Sequence, residues 1–151
     1  MASMKLIAIL LVSLCLIAPL TQATKVTYCT KKAYDVTVKG VEINPDPVVR
    51  GKPATFSISA TTEAPLSGGK LVIDVSYFGL HVRTEEHKLC EETSCPVSIG
   101  DFVISHSQVL PGFTPPGSYK LKMKLTDDGK RELTCISFGF SIGIGSSVAD
   151  S

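Results

Sequence analysis

The chain has 151 residues, with 15 basic and 14 acidic side chains and no tryptophan. Lys5 is the single charged residue before Thr24, so removing residues 1–23 would leave 14 basic and 14 acidic residues and a net charge near zero. A neutral chain without a cluster of lysines and arginines lacks the positive surface that nucleic-acid binding requires. These values exclude nucleic acid as a partner.

The first 23 residues have the pattern of a secretory signal peptide. Lys5 precedes an apolar run over residues 6–16, and Ala23 is the small residue that a signal peptidase requires. The apolar run is shorter than a membrane-spanning helix. We therefore expect a mature chain that begins near Thr24 in the secretory pathway, with an extracellular or a vacuole- or lysosome-type destination. An uncleaved N-terminal anchor is the alternative.

The cysteines indicate two disulfide bonds. Cys29, Cys90, Cys95 and Cys135 remain after the signal peptide, an even number in an oxidising compartment. The short gap between Cys90 and Cys95 favours a local bridge, and Cys29 would then pair with Cys135. A metal site of His87, Cys90 and Cys95 is the alternative, but thiols oxidise in this compartment, and we expect no metal.

Alternation of apolar and polar residues with a period of two predicts about seven short β-strands. The segments are a first pair at 25–28 and 34–43, then 53–62, 70–78, 80–89, 97–109 and 117–126, and a final strand with alternate residues Ile136 to Ile144 on one face. Segment 70–78 is apolar on nearly both faces, which predicts a central strand. Residues 90–95 are expected to form a hairpin, and no helix of useful length is indicated.

This strand pattern predicts an all-β, immunoglobulin-like two-sheet β-sandwich of antiparallel strands over residues 24–145, followed by a flexible tail at 146–151. The absence of tryptophan and the cysteine spacing exclude an antibody-type domain. A plain sandwich fills its core with interdigitating side chains, whereas splayed sheets can enclose a ligand. Composition alone leaves these two possibilities open.

Four short motifs follow one another along the mature chain. They are Tyr28-Cys29, the loop from Cys90 to Cys95-Pro96, Pro115-Pro116-Gly117-Ser118-Tyr119, and Leu133-Thr134-Cys135 with Phe138. Their order and spacing resemble the MD-2-related lipid-recognition (ML) domain family from about residue 24 to 143. That family includes Niemann-Pick type C2 proteins and phosphatidylglycerol/phosphatidylinositol transfer proteins. The further early disulfide common in the family has no counterpart, because no cysteine lies between Cys29 and Cys90.

The resemblance implies a secreted lipid-binding protein with a lipid cavity between its sheets. Such a protein holds a sterol or a phospholipid and carries it between membranes or presents it to a partner, with no cofactor besides the lipid ligand. We expect a monomer that contacts membrane surfaces transiently, and a membrane-protein partner is compatible with this role. An immunoglobulin-like protein-interaction module with a solid core is the alternative.

The predicted lipid-contacting residues are large apolar side chains on the inward strand faces and in one loop. They are Phe56, Ile58, Ile73, Val75, Tyr77, Phe102, Phe113, Tyr119, Leu121, Met123, Phe138 and Phe140. Ordinary core packing is the alternative for each residue taken singly. Loop 110–116 contains three prolines and presents Phe113 as a portal, unless this ring folds back onto the core.

Two further features have simple interpretations. Lys120, Lys122 and Lys124 form a stripe that is more typical of a solvated sheet face than of a site for anionic headgroups.

The histidines do not suggest a catalytic site, since His87 lies in a charged run and His81 and His106 lack partners at metal-ligand spacing. No Gly-x-Ser-x-Gly or phosphate-loop motif is present, and we expect no enzymatic activity.

Overall fold

The computed structural model describes residues 24–144. The predicted signal peptide and the predicted tail at 146–151 lie outside the described residues. Within the described range, eight strands form two antiparallel sheets, and one turn of helix follows the fifth strand. No helix in this part of the chain has the length and apolar character needed to cross a membrane.

The two sheets confirm the predicted immunoglobulin-like sandwich, with eight strands rather than about seven. One sheet has the order β1-β8-β7-β4-β5 and the other has the order β2-β3-β6. The elements are β1 Val26–Tyr28, β2 Val36–Asn44, β3 Pro53–Thr62, β4 Lys70–Tyr77, β5 Leu80–Lys88, α1 Leu89–Glu92, β6 Gly100–Val109, β7 Gly117–Thr126 and β8 Glu132–Ile142.

Strand β7 shows why the alternating pattern identified these elements. Tyr119, Leu121, Met123 and Leu125 are buried against the other sheet, whereas the lysines between them are exposed. A strand places successive side chains on opposite faces, so each second residue enters the core. Lys120, Lys122 and Lys124 therefore occupy the outer, solvent-exposed face, as the simpler interpretation predicted.

Strand β4 lies in the interior of its sheet, as its apolar composition predicted. It pairs with β7 on one side and β5 on the other. The strand ends one residue earlier than predicted because Phe78 has a left-handed backbone with φ of 50° and enters the turn with Gly79. Strand β5 is an edge strand with most residues exposed, which explains its polar composition.

The first two predicted strands do not pair with each other. Strand β1 pairs with β8, with Val26 opposite Phe138, while β2 pairs with β3 in the other sheet. Residues 29–35 carry the chain across the sandwich between the two sheets. Proximity along the chain suggested a hairpin, but the long-range partner β8 provides the ladder of hydrogen bonds.

Other boundaries also differ from the prediction, since β2 begins at Val36 rather than residue 34 and β6 begins at Gly100 rather than residue 97. The segment expected to be a hairpin at 90–95 begins as helix α1, in which the Thr93 amide donates to the Leu89 carbonyl over 3.0 Å. Strand β8 begins at Glu132 and ends at Ile142, so Ile144 does not share the buried face and is exposed.

Both predicted disulfide bonds are present. The Cys29–Cys135 bond joins the end of β1 to β8 across 106 residues of sequence. The Cys90–Cys95 bond closes the turn that begins with α1 and spans five residues. The first bond therefore reinforces the pairing of β1 with β8, whereas the second holds α1 close to the edges of the two sheets.

Candidate functional site

A cavity of about 300 Å³ lies between the two sheets at one end of the sandwich. Strands β3 and β6 form one wall, strands β4, β5, β7 and β8 form the other, and the loop after β6 covers the end. Its walls are mainly apolar. The lining residues are Ala54, Phe56, Ile73, Val75, Val82, Arg83, Glu85, His106, Gln108, Leu110, Pro111, Phe113, Thr114, Pro115, Tyr119, Leu121, Phe140 and Ile142.

The cavity brings together seven of the twelve residues predicted to contact a lipid. They come from β3, β4, β7, β8 and the loop after β6, and they are Phe56, Ile73, Val75, Phe113, Tyr119, Leu121 and Phe140. Volumes of this size are typical of small-molecule sites, which are mostly apolar and lie between structural layers. The hollow end also argues against a sandwich with a solid core throughout.

The other five predicted residues do not line the cavity. Ile58, Met123 and Phe138 are each the next inward residue along a strand that already contributes a lining residue, and they fill the closed core. Phe102 also packs partly buried against that core, four residues before His106. Tyr77 stacks on Tyr119 at 4.6 Å beside the loop. Alternation identified the inward face but not the end of each strand that faces a void.

Aromatic side chains form a continuous wall and fix the loop. The Phe140 ring stacks on Tyr119 at 5.4 Å and meets Phe56 edge-on at 5.5 Å. The Tyr119 hydroxyl donates to the Pro115 carbonyl over 2.7 Å, and the Tyr77 hydroxyl donates to the Pro116 carbonyl over 3.0 Å. Burial raises the pKa of Tyr119, and the neighbouring Tyr77 adds to this effect. The loop is therefore anchored to the wall that it covers.

Exposed apolar side chains lie at the mouth of the cavity and on the neighbouring β4–β5 turn. Phe113 is 86% exposed, so its ring does not fold back onto the core. Val82 lines the cavity while remaining exposed, and Phe78 and Leu80 are exposed on the adjoining β4–β5 turn. Scattered exposed apolar residues are ordinary, whereas large contiguous apolar patches occur at interaction sites of other proteins. We call Phe78, Leu80, Val82 and Phe113 the apolar rim.

A polar group lies at the side of the cavity between β5 and β6. Glu85 accepts hydrogen bonds at Oε1 from Gln108 Nε2 over 2.9 Å and from Arg83 Nε over 2.6 Å. Burial by itself would raise the pKa of Glu85, but hydrogen bonds from His87 and Gln108 and the charge of Arg83 outweigh it and lower that pKa. His106 is buried beside them.

Sequence reasoning missed this polar group. Glu85 and His87 lie two residues apart on β5, and His106 and Gln108 lie two residues apart on β6. The period of two could therefore have predicted one inward polar pair on each strand. The two pairs are 19 or more positions apart, and nothing local shows that the strands face each other. The considered site of His87 with two cysteines does not form, because Cys90 and Cys95 are bonded to each other.

Comparison with known proteins identifies the family of this chain. The model of the ML domain family matches residues 23–142. The chain belongs to the ML domain family. An MD-2-related lipid-recognition protein of Arabidopsis thaliana is 32% identical over 142 residues, covering 89% of this chain and 86% of that protein. A putative phosphatidylglycerol/phosphatidylinositol transfer protein of Dictyostelium discoideum is 36% identical over 98 residues, covering 62% and 68%.

Two solved structures share the fold. A Niemann-Pick type C2 protein from Japanese carpenter ant superposes with a TM-score of 0.61 at 14% identity, covering 78% of this chain and 99% of that chain. Chicken MD-1, crystallised in complex with lipid IVa, superposes with a TM-score of 0.52 at 12% identity, covering 78% and 98%. The family model thus supports the ML assignment, and the two solved structures support the two-sheet architecture.

Proposed function

We propose that this ML domain is a secreted carrier that holds one lipid, a phospholipid or a sterol, in the cavity between its sheets and exchanges it with membranes. The observation that carries the proposal is the apolar cavity, which opens beside exposed apolar side chains. The names of the curated relatives, which include phosphatidylglycerol/phosphatidylinositol transfer proteins, make phospholipids the first ligands to test.

The energetics of apolar burial suit a carrier. Each methylene transferred from water into an apolar site contributes about 0.8 kcal/mol. A bilayer interior offers nearly the same environment, so the free energy difference between the membrane and the cavity is small. A lipid can therefore enter and leave such a cavity at a membrane surface without a large uphill step, although it would not leave into water.

Native mass spectrometry with lipid extraction tests the binding. The oxidised protein, purified from a eukaryotic secretory host, is incubated with vesicles of phosphatidylcholine, phosphatidylglycerol, phosphatidylinositol and a sterol. We expect one lipid per chain, and extraction identifies its class. A protein mass that stays free of lipid after this incubation would contradict the carrier and favour the protein-interaction module.

The apolar rim gives a prediction about transfer. We expect Phe113→Asp to slow lipid transfer between vesicles about tenfold, because inserting a phenylalanine into an apolar phase contributes roughly 1.5 kcal/mol or more and tenfold corresponds to about 1.4 kcal/mol. Transfer is measured with a fluorescent phospholipid that is self-quenched in donor vesicles.

Ile99→Asp is the matched control for this substitution. Ile99 is 66% exposed and precedes the start of β6, whereas Phe113 follows the end of the same strand, so the two lie at opposite ends of the sandwich. The control introduces the same charge and should transfer lipid at the rate of the unaltered protein. Equal rates for the two variants would show that the rim does not contact the membrane.

A further inference from the structure

Four ionisable side chains meet where the edge strands of the two sheets approach each other. Glu85 and His87 come from β5, His106 comes from β6, and Glu92 comes from α1, which the Cys90–Cys95 bond holds nearby. The side chains of Glu85, Glu92 and His106 are 12%, 11% and 10% exposed, and that of His87 is 26% exposed. This cluster is thus largely shielded from water.

The ring nitrogens of the two histidines converge on one carboxylate oxygen. Glu85 Oε2 lies 3.2 Å from His87 Nε2 and 4.0 Å from His106 Nε2. The imidazole centroids are 4.6 Å apart. One ligand atom from each of the three residues lies within 4.8 Å of the others. Zinc ligands lie about 2.0–2.2 Å from the ion, so a cation placed among these atoms would draw the three side chains closer together.

Glu92 contacts the opposite nitrogen of both rings. Its carboxylate lies 3.3 Å from His106 Nδ1 and 3.8 Å from His87 Nδ1. Histidines that bind a metal through one nitrogen commonly donate the other N–H to a carboxylate, which fixes the tautomer and the ring orientation. Glu92 gives this support to His106 directly, whereas the 3.8 Å distance to His87 Nδ1 would have to shorten before a hydrogen bond forms.

Each imidazole therefore faces oxygen atoms on both sides. His106 Nε2 also lies 3.3 Å from Gln108 Oε1, while its Nδ1 faces Glu92. A neutral imidazole carries a single N–H, so one nitrogen of each ring would oppose an acceptor without a shared proton. A metal cation between the rings resolves this conflict.

We propose that Glu85, His87 and His106 bind a zinc ion, with Glu92 as the residue that positions the imidazoles. Two imidazole nitrogens and one carboxylate oxygen are a ligand set that suits Zn²⁺ and is foreign to Ca²⁺ and Mg²⁺. Glu85 Oε1 is already occupied by Gln108 and Arg83, which leaves Oε2 for the metal. The ion would join the edges of the two sheets beside the cavity. This proposal does not depend on lipid binding.

Isothermal titration calorimetry with ZnCl₂ tests the site on the tag-free, oxidised protein after dialysis against EDTA and removal of the chelator. We expect one ion per chain and a rise in Tm of about 5 °C or more at a hundredfold excess over Kd. His87→Gln and His106→Gln should each abolish both signals. Glu92→Gln should weaken zinc binding about 10–100-fold.

His81→Gln is the matched control, since His81 also lies on β5 but is exposed and contacts Asp74 outside the cluster. This variant should bind zinc like the unaltered protein. If His106→Gln does not fold, the more exposed His87→Gln decides the question. No zinc binding by the unaltered protein, or binding retained in His87→Gln, would overturn the proposal.

Discussion

We expect Val75→Trp to weaken lipid binding by at least tenfold. Val75 lines the cavity from β4, opposite Leu121 of β7 and Arg83 of β5. An indole at this position would occupy space that the ligand needs. Displacing two methylenes from the site costs about 1.6 kcal/mol of ligand burial, and about 1.4 kcal/mol already corresponds to tenfold in affinity.

The measurement is native mass spectrometry after incubation with phospholipid vesicles, with the fold checked by thermal unfolding. Overpacking a filled core costs about 1–3 kcal/mol, but Val75 borders a void, so the loss in stability should be at the low end. Val103→Trp is the control, because Val103 lies on the outer face of β6 and is half exposed. An affinity of Val75→Trp equal to that of the unaltered protein, measured over a series of lipid concentrations, would show that the ligand binds elsewhere.

The long-range disulfide should contribute more to stability than the short one. We expect the double substitution Cys29→Ala with Cys135→Ala to lower the free energy of unfolding by about 4–5 kcal/mol, since the bond closes a loop of 106 residues. The cause is chain entropy, because an unfolded chain without the bond samples many more conformations. Urea denaturation gives the unfolding free energy, its midpoint and its m-value.

Removing the other disulfide provides the comparison. Cys90→Ala with Cys95→Ala opens a loop of only five residues, for which the same entropy relation gives about 2 kcal/mol. Both double variants remove two sulfurs and add two alanines. A greater loss from the short loop would contradict the entropic account and point to a structural role for the helix α1 that this bond holds in place.

Much of the fold could be predicted from the sequence, because its determinants are local. Alternation along β7 placed the tyrosine, leucines and methionine inside and the lysines outside, as the structure confirms. The gap between Cys90 and Cys95 was enough to derive both disulfide pairs. The partner of β1 could not be predicted from the sequence. A three-residue strand can pair with its neighbour along the chain as well as with a distant strand, and only assembly of the sheet decides between them.

The residues of the candidate site could also be predicted only in part from the sequence. Phe56, Leu121 and Phe140 could be selected because large apolar residues on an inward face must contact either the core or a ligand. Ile58, Met123 and Phe138 satisfy the same rule but fill the closed core. The difference depends on where the two sheets separate, which is a property of the whole sandwich.

The sequence by itself determined the fold class, the two disulfide bonds and the inward face of most strands, because periodicity and cysteine spacing act over a few residues. Only the tertiary structure decided which end of the sandwich is hollow and that Glu85 and His87 meet Glu92 and His106. The physical reason is that the edges of two sheets approach each other through packing of the whole core. Residues distant in sequence become neighbours there, and no local pattern records that contact.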